Sequence, residues 1–220
     1  MNDKPDRTAH DRKLHFFGMI TASVSHELNN VISIIDQVAG LLSDLIAAAD
    51  SGYPINLEKL KTVQERIRRQ TQRGVGIIKR LNKFSHSVDE PFLEFDPGAV
   101  VENLMALAAR FAELKKVTLE TNLPQGSVTI TNNPFTLQQV VFFCFRHALD
   151  VSERGETLRV AMDYNDSLVT FHISNSKKTI CIDNTAEMEI LQEMMGILGG
   201  SLGRNSEHEM EISVPLSLAP

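Results

Sequence analysis

The 220-residue sequence predicts an α+β protein, with an antiparallel helical hairpin in residues 1–90 and an α/β sandwich in residues 91–220. Three observations lead to this prediction. Apolar residues in the first part recur at spacings of three and four, as on one face of a helix. Pro91 and Pro97 then mark a boundary. Beyond them, helical runs are mixed with the alternating runs that are typical of strands.

The first helix is predicted to begin near Asp11, after ten polar residues that we expect to be frayed. It carries an apolar stripe in heptad spacing over about four repeats. The stripe consists of Phe17, Thr21, Val24, Leu28, Val31, Ile35, Val38, Leu42 and Leu45. Gly52 and Pro54 end this helix, and Asn56 can cap the next one.

The second helix is predicted from Leu57 to about Val88. Its stripe passes through Leu57, Leu60, Gln64, Ile67, Thr71, Gly74, Ile78 and Leu81. Because the turn between the two helices is short, they form an antiparallel hairpin. Two helices alone cannot bury two apolar faces well, so we expect the hairpin to dimerise into a four-helix bundle.

The second part of the chain alternates between helix and strand patterns. The helical segments are "GAVVENLMALAARFAELKK", "PFTLQQVVFFCFRHALDVSE" and "AEMEILQEMMGILGG", and the strands are "VTLETNL", "SVTITN", "TLRVAMDYN", "SLVTFHISNS" and "EMEISVPL". The third and fourth strands form a hairpin through "DYND". Gly199 and Gly200 are interpreted as the end of the last helix rather than as a phosphate-binding loop.

Composition limits the classes of function. The formal net charge of -6 argues against a nucleic-acid-binding protein. Two cysteines, Cys144 and Cys181, make neither a disulfide framework nor a metal cluster. No run is interpreted as long and apolar enough to span a bilayer, and the N-terminus lacks a signal-peptide pattern. We therefore expect a cytoplasmic protein, or a soluble part of a larger assembly, without membrane insertion by this chain.

The segment "SVSHELNN" places reactive side chains within the first helix. His26 lies off the apolar stripe and is expected to face solvent. A neutral imidazole nitrogen is a usable nucleophile near neutral pH. Glu27 can orient the ring or accept its proton, and Asn30 lies one turn further on the same face, where its amide can position a water molecule or a phosphoryl oxygen.

The stretch "ASVSHELNNVISII" resembles the H-box of bacterial sensor histidine kinases, and the hairpin resembles their dimerisation and histidine-phosphotransfer domain. The order of elements in residues 91–220 is similar to that of their ATP-binding domain. The resemblance implies that His26 is the phosphorylated residue, Glu27 its acid/base partner and Asn30 the residue that positions water for phosphatase action.

The ATP-binding half departs from this family. Phe143 and His147 stand where the family has asparagines that meet Mg²⁺ and phosphates, and neither supplies the oxygen that a hard cation needs. In "NSKKT", Asn175 replaces the carboxylate that reads adenine, and Lys177 and Thr179 replace glycines. The glycine-rich lid is reduced to "CIDNTAEM". We therefore expect no bound cofactor or metal; ATP and Mg²⁺ would bind only if the degenerate pocket still functions.

Basic residues cluster on the second helix: Arg66, Arg68, Arg69, Arg73, Lys79, Arg80 and Lys83. A solvated helical face explains them individually. As a group they can attract an acidic partner, and receiver domains have an acidic phosphoacceptor pocket. The partner-binding residues are therefore predicted to be Arg66, Arg69, Arg73, Lys79 and Arg80.

The sequence predicts a homodimeric histidine phosphotransfer protein that exchanges phosphoryl groups between His26 and receiver-domain aspartates, with ATP-dependent autophosphorylation lost. Two alternatives remain open. One is an active or partner-dependent histidine kinase or response-regulator phosphatase, and the other is a non-catalytic dimer that sequesters receiver domains.

Overall fold

The structure, a computed structural model, describes residues 4–126, 128–180, 182, 185–206 and 209–217, with only the backbone for residues 4–9 and 185. The α-helices are α1 (Lys4–Asp50), α2 (Leu57–Ser85), α3 (Pro97–Lys115), α4 (Pro134–Val151) and α5 (Thr185–Leu198). The strands are β1 (Leu93–Phe95), β2 (Thr118–Asn122), β3 (Ile130–Asn132), β4 (Thr157–Tyr164), β5 (Leu168–Asn175), β6 (Ser201–Arg204) and β7 (Met210–Pro215). The predicted α+β class is confirmed.

The chain divides into two compact units. A helical unit comprises Phe17–Asn82, and a mixed unit comprises Met1–Phe16 together with Lys83–Pro220. The division therefore falls before the predicted boundary near residue 90, and the first residues of α1 belong to the mixed unit. α1 also begins at Lys4 rather than near Asp11, because Pro5 in the first turn is compatible with a helix.

An aromatic cluster explains why both ends of the helical segment belong to the mixed unit. The ring of Phe16 lies 5.4 Å from that of Phe84, 5.5 Å from that of Phe135 and 5.1 Å from that of Phe142. Phe16 and Phe84 are buried, at 5% and 0% exposure. The start of α1 and the end of α2 thus contribute side chains to the core around α4.

The helical unit buries one stripe from each helix. Val24, Val31 and Val38 are buried on α1, as predicted. On α2 the buried positions are Val63, Gly74 and Ile77, with Leu60, Ile67, Gln70 and Leu81 half-buried. The predicted members Leu57, Gln64, Thr71 and Ile78 are exposed. This part of the prediction was wrong. Leu60, Ile67, Gly74 and Leu81 belong to two neighbouring stripes of α2. The buried stripe joins them to Val63, Gln70 and Ile77 instead of to the predicted members.

α1 also carries apolar residues outside its buried stripe. Ile32 and Ile46 are 62% and 53% exposed, and both share a helix face with the half-buried Leu28, Ile35 and Leu42. Apolar residues on two faces raise the hydropathy of the entire helix. By length and composition alone, residues His10–Asp50 could cross a membrane, so the expectation that no run is long and apolar enough was wrong.

The mixed unit is built on a five-stranded sheet in the order β2-β4-β5-β7-β6. β2 and β4 are parallel, and the other neighbouring pairs are antiparallel. The buried face is formed by alternate residues, among them Val160, Phe171 and Ile212. Helix α4 is the central helix, since it contacts both α3 and α5 as well as β4 and β5. β1 and β3 form a separate antiparallel pair.

Candidate functional site

His26 lies in the interior of the continuous helix α1 and is exposed, as is Asn30 one turn further along. Glu27 is different, since only 18% of its side chain is accessible. The helix positions a nucleophilic imidazole and a carboxamide in solvent and directs the intervening carboxylate toward α2. The predicted triplet therefore lies on one region of the helical unit, but Glu27 is more enclosed than its neighbours.

The Glu27 carboxylate faces a basic residue of α2. Its Oε1 lies 3.9 Å from Nη2 of Arg73, whose side chain is 49% exposed. The two helices are close at this level, because a Cβ atom added to buried Gly74 would lie 3.4 Å from Cγ1 of Val31. A Cβ atom at position 74 would be in ordinary van der Waals contact with Val31, so the two helices pack closely beside Arg73.

The predicted basic surface lies on α2 as follows. Arg69, Arg73, Lys79 and Arg80 are exposed, and Arg66 is half-buried. Spacings of three, four and seven place Arg66, Arg69, Arg73 and Arg80 on one helix face, whereas Lys79 lies about 100° away from Arg80. The helix therefore brings four of the five predicted residues together, and one of the four contacts the residue next to His26.

A second feature of the helical unit is a groove near the hairpin turn, with a volume of about 540 Å³. Its lining includes Leu41, Leu45 and Val63 as well as Arg66. Leu41 is 46% exposed. An apolar groove is thus continuous with the start of the basic surface.

In the mixed unit, Asn175 takes part in a closed hydrogen-bond network. Its side-chain amide donates to Ser152 Oγ at 2.8 Å and to Glu156 Oε2 at 3.0 Å. The side-chain oxygen of Asn175, Oδ1, accepts from the backbone N–H groups of Lys177 and Lys178, at 2.8 and 3.1 Å. Asn175, which is predicted to replace an adenine-reading carboxylate, is therefore engaged within the protein.

Glu156 anchors this network as a buried carboxylate with 3% exposure. The backbone N–H of Glu153 donates to it at 2.9 Å, and this bond, followed by that from Asn175, lowers the pKa of Glu156. Lys178 donates to Glu153 Oε1 at 2.7 Å, and this bond raises the pKa of Lys178. The loop after β5 is thus tied to the end of α4.

The two positions predicted to replace metal-binding asparagines differ in their surroundings. Phe143 is half-buried on α4. His147 Nδ1 lies 3.6 Å from Glu187 Oε2 on α5. In the shortened lid, Cys181, Asp183 and Asn184 lie outside the described residues.

Sequence reasoning missed two of these arrangements. Arg73 was interpreted only as a docking residue, because its contact with Glu27 depends on the register between two helices. The roles of Glu156 and Ser152 were not predicted, although a signal existed. The β4–β5 hairpin pairs Leu158 with Asn175, which places Asn175 near Glu156.

The comparisons with known proteins point to one class. No family model matches the chain. It is 24% identical over 171 residues to sensor protein FixL of Bradyrhizobium diazoefficiens, covering 76% of this chain. The matched chain spans only 33% of the length of that relative.

Solved structures add a likeness in fold. A nucleotide-free form of the catalytic domain of histidine kinase ThkA matches with a TM-score of 0.52 and 12% identity, over 59% of this chain and all of that one. A second nucleotide-free form matches with a TM-score of 0.51 and 12% identity, over 58% of this chain and 97% of that one. The chain therefore contains the fold of a histidine kinase catalytic domain.

Proposed function

We propose that this protein acts in two-component signalling as a homodimeric histidine phosphotransfer protein of the cytoplasm. His26 exchanges phosphoryl groups with aspartates of receiver domains, without the use of ATP. The observation that carries this proposal is the exposed His26 on a hairpin helix, with Asn30 and Glu27 beside it. The similarity in fold to a histidine kinase catalytic domain supports a role in phosphoryl-transfer chemistry.

The transfer step requires little covalent machinery from the protein. An unprotonated ring nitrogen of His26 attacks the phosphorus of an aspartyl phosphate. The N–P bond forms as the P–O bond to the aspartyl carboxylate breaks, and the released aspartate keeps the electron pair. The proton on the other ring nitrogen stays there or passes to Glu27. Such a reaction depends mainly on positioning and on stabilisation of the transferring charge.

Loss of ATP use is supported by the contacts in the mixed unit. The side-chain N–H groups of Asn175 donate to Ser152 and Glu156, and its side-chain oxygen accepts from the loop backbone. His147 is paired with Glu187. A nucleotide would have to compete with these internal bonds, and Phe143 offers no ligand to the Mg²⁺ that accompanies ATP.

Dimerisation is supported by the uncovered apolar face of the hairpin. Ile32 on α1 and Ile78 on α2 are 62% and 47% exposed. Large apolar patches on one side of a hairpin are typical of surfaces that another subunit covers. A second copy of the hairpin supplies a matching face.

A histidine kinase that still binds ATP is the second candidate, and the similarity to sensor protein FixL favours it. Two phosphoryl donors separate the candidates. We expect label on the protein from a phosphorylated receiver domain and none from γ-labelled ATP with Mg²⁺, while calorimetry with ATP should detect no micromolar binding. Label from ATP that is lost in His26→Gln would establish the kinase and refute the phosphotransfer proposal. A non-catalytic receiver-binding dimer would take label from neither donor.

A further inference from the structure

We propose that Arg73 is a positioning residue for phosphoryl transfer, which acts by holding Glu27 in place beside His26. This inference rests on the proposed function and assigns one member of the basic surface a role other than docking. It begins from the Glu27–Arg73 contact, which joins the two helices of the hairpin at the level of His26.

The two side chains differ in exposure in a way that fits this role. Glu27 is 18% exposed and Arg73 is 49% exposed, with 3.9 Å between Oε1 and Nη2. Glu27 is therefore enclosed between the helices, while the guanidinium group extends from there into solvent. A guanidinium group has five N–H donors in a planar fork, so it can hold one carboxylate and still present donors outward.

The backbone fixes the position of Arg73. Gly74 follows it directly, is buried, and lies against Val31 of α1. Ile77, one turn further, is 3% exposed. Two buried positions of α2 therefore follow Arg73, and its reach toward Glu27 is set by the packing of the two helices rather than by a loop.

This arrangement has a consequence for the chemistry. Residues i and i+1 of a helix do not face each other, so the orientation of the Glu27 carboxylate is set by the group that it meets on α2, which is Arg73. When the N–P bond forms, the imidazole becomes positively charged, and a fixed carboxylate at the next residue can accept the remaining ring proton or stabilise it. Arg73 supplies the orientation and forms no bond to the phosphoryl group in this scheme.

The test is single-turnover transfer from a phosphorylated receiver domain, measured over a range of receiver concentrations. We expect Arg73→Ala to lower the maximal rate about tenfold, a part of the 10²–10⁴ typical of acid/base assistance, with an unchanged half-saturating concentration. Arg73→Lys should recover part of the rate. In a Glu27→Gln background, Arg73→Ala should have no further effect, since the group that it positions is gone.

Arg69→Ala is the matched control, because Arg69 is an exposed arginine one turn away on the same face. As a docking residue it should raise the half-saturating concentration and leave the maximal rate unchanged. The inference is overturned if Arg73→Ala behaves like Arg69→Ala, or if the effects of Arg73→Ala and Glu27→Gln simply multiply. Absence of transfer in the wild-type protein would instead refute the proposed function, and this inference with it.

Discussion

At the scale of single residues, Asn30 and Glu156 represent two kinds of polar side chain, one exposed beside the nucleophile and one buried far from it in the sequence. Asn30 has its amide free to meet solvent or a ligand. Glu156 is enclosed and receives two hydrogen bonds. The first residue should affect the fate of a phosphoryl group, and the second should affect stability.

Replacing Asn30 by alanine should leave phosphoryl transfer nearly unchanged and slow the loss of phosphoryl groups to water, because a carboxamide near the acceptor can position the attacking water. The measurement is the decay of label from the receiver in the presence of wild type or Asn30→Ala. Asn29→Ala, which alters an exposed neighbour, is the control. Equal decay with wild type and Asn30→Ala would contradict this role.

The lowered pKa of Glu156 predicts a pH-dependent contribution to stability. A carboxylate whose pKa is lower in the folded state stabilises the fold above its unfolded pKa. This contribution is complete above about pH 5 and is lost as the pH falls below about 4. Thermal melts should show Glu156→Gln less stable than wild type at pH 7, with a smaller difference near pH 3. A constant difference over this range would mean that the charge of Glu156 does not contribute.

At the scale of the elements, the sequence predicts the order of the helices and of strands β2, β3, β4, β5 and β7, but it misses the short strands β1 and β6. The β4–β5 hairpin and the end of α5 are found as expected, with Gly199 at a φ of 61° directly after Leu198. These features depend on local chemistry, which the sequence contains. The buried stripe of α2 differs from the predicted one, because the packing of α2 against α1 decides which residues of α2 are buried. The Arg73–Glu27 contact could not be predicted for the same reason.

Gln70 lies on the buried stripe of α2, between Ile67 and Gly74, and its Oε1 is buried with no hydrogen-bond partner among the described residues. A buried polar atom without a partner reduces stability. Gln70→Met, with a similar shape, should therefore raise the free energy of unfolding by about 1 kcal/mol in chemical denaturation. Gln64→Met at an exposed position should change it by less than about 0.5 kcal/mol. A destabilised Gln70→Met would show that Oε1 has a partner in the assembled protein.

At the scale of the whole molecule, the proposed four-helix bundle requires two copies of the chain. We expect the wild type to sediment as a dimer and Ile32→Lys with Ile78→Lys to give folded monomers, because both residues are exposed beside the buried stripes. Leu114→Lys replaces a leucine on α3 that is even more exposed, at 67%, and should leave the dimer intact. A compact wild-type monomer would rule out the four-helix bundle.

The two halves of the protein are predicted to have unequal roles. The helical unit contains the phosphoacceptor candidate, and the mixed unit keeps a kinase-like fold in which Asn175 and His147 contact other residues of the protein. From the residue types at these positions, the sequence predicts that ATP use is lost. The hydrogen bonds of Asn175 to Ser152 and Glu156 were not predicted, although the predicted β4–β5 hairpin already brings Asn175 near Glu156.

The most direct test of the central claim is phosphoryl transfer to His26 in the absence of ATP. Receiver domains from the same genome are phosphorylated, separated from their donor and incubated with wild type or His26→Gln. We expect at least one receiver to label the wild type with an acid-labile, base-stable phosphoryl group that maps to the peptide containing His26, and none to label His26→Gln. Receivers that bind both proteins equally and label neither would contradict the claim and establish a receiver-sequestering dimer.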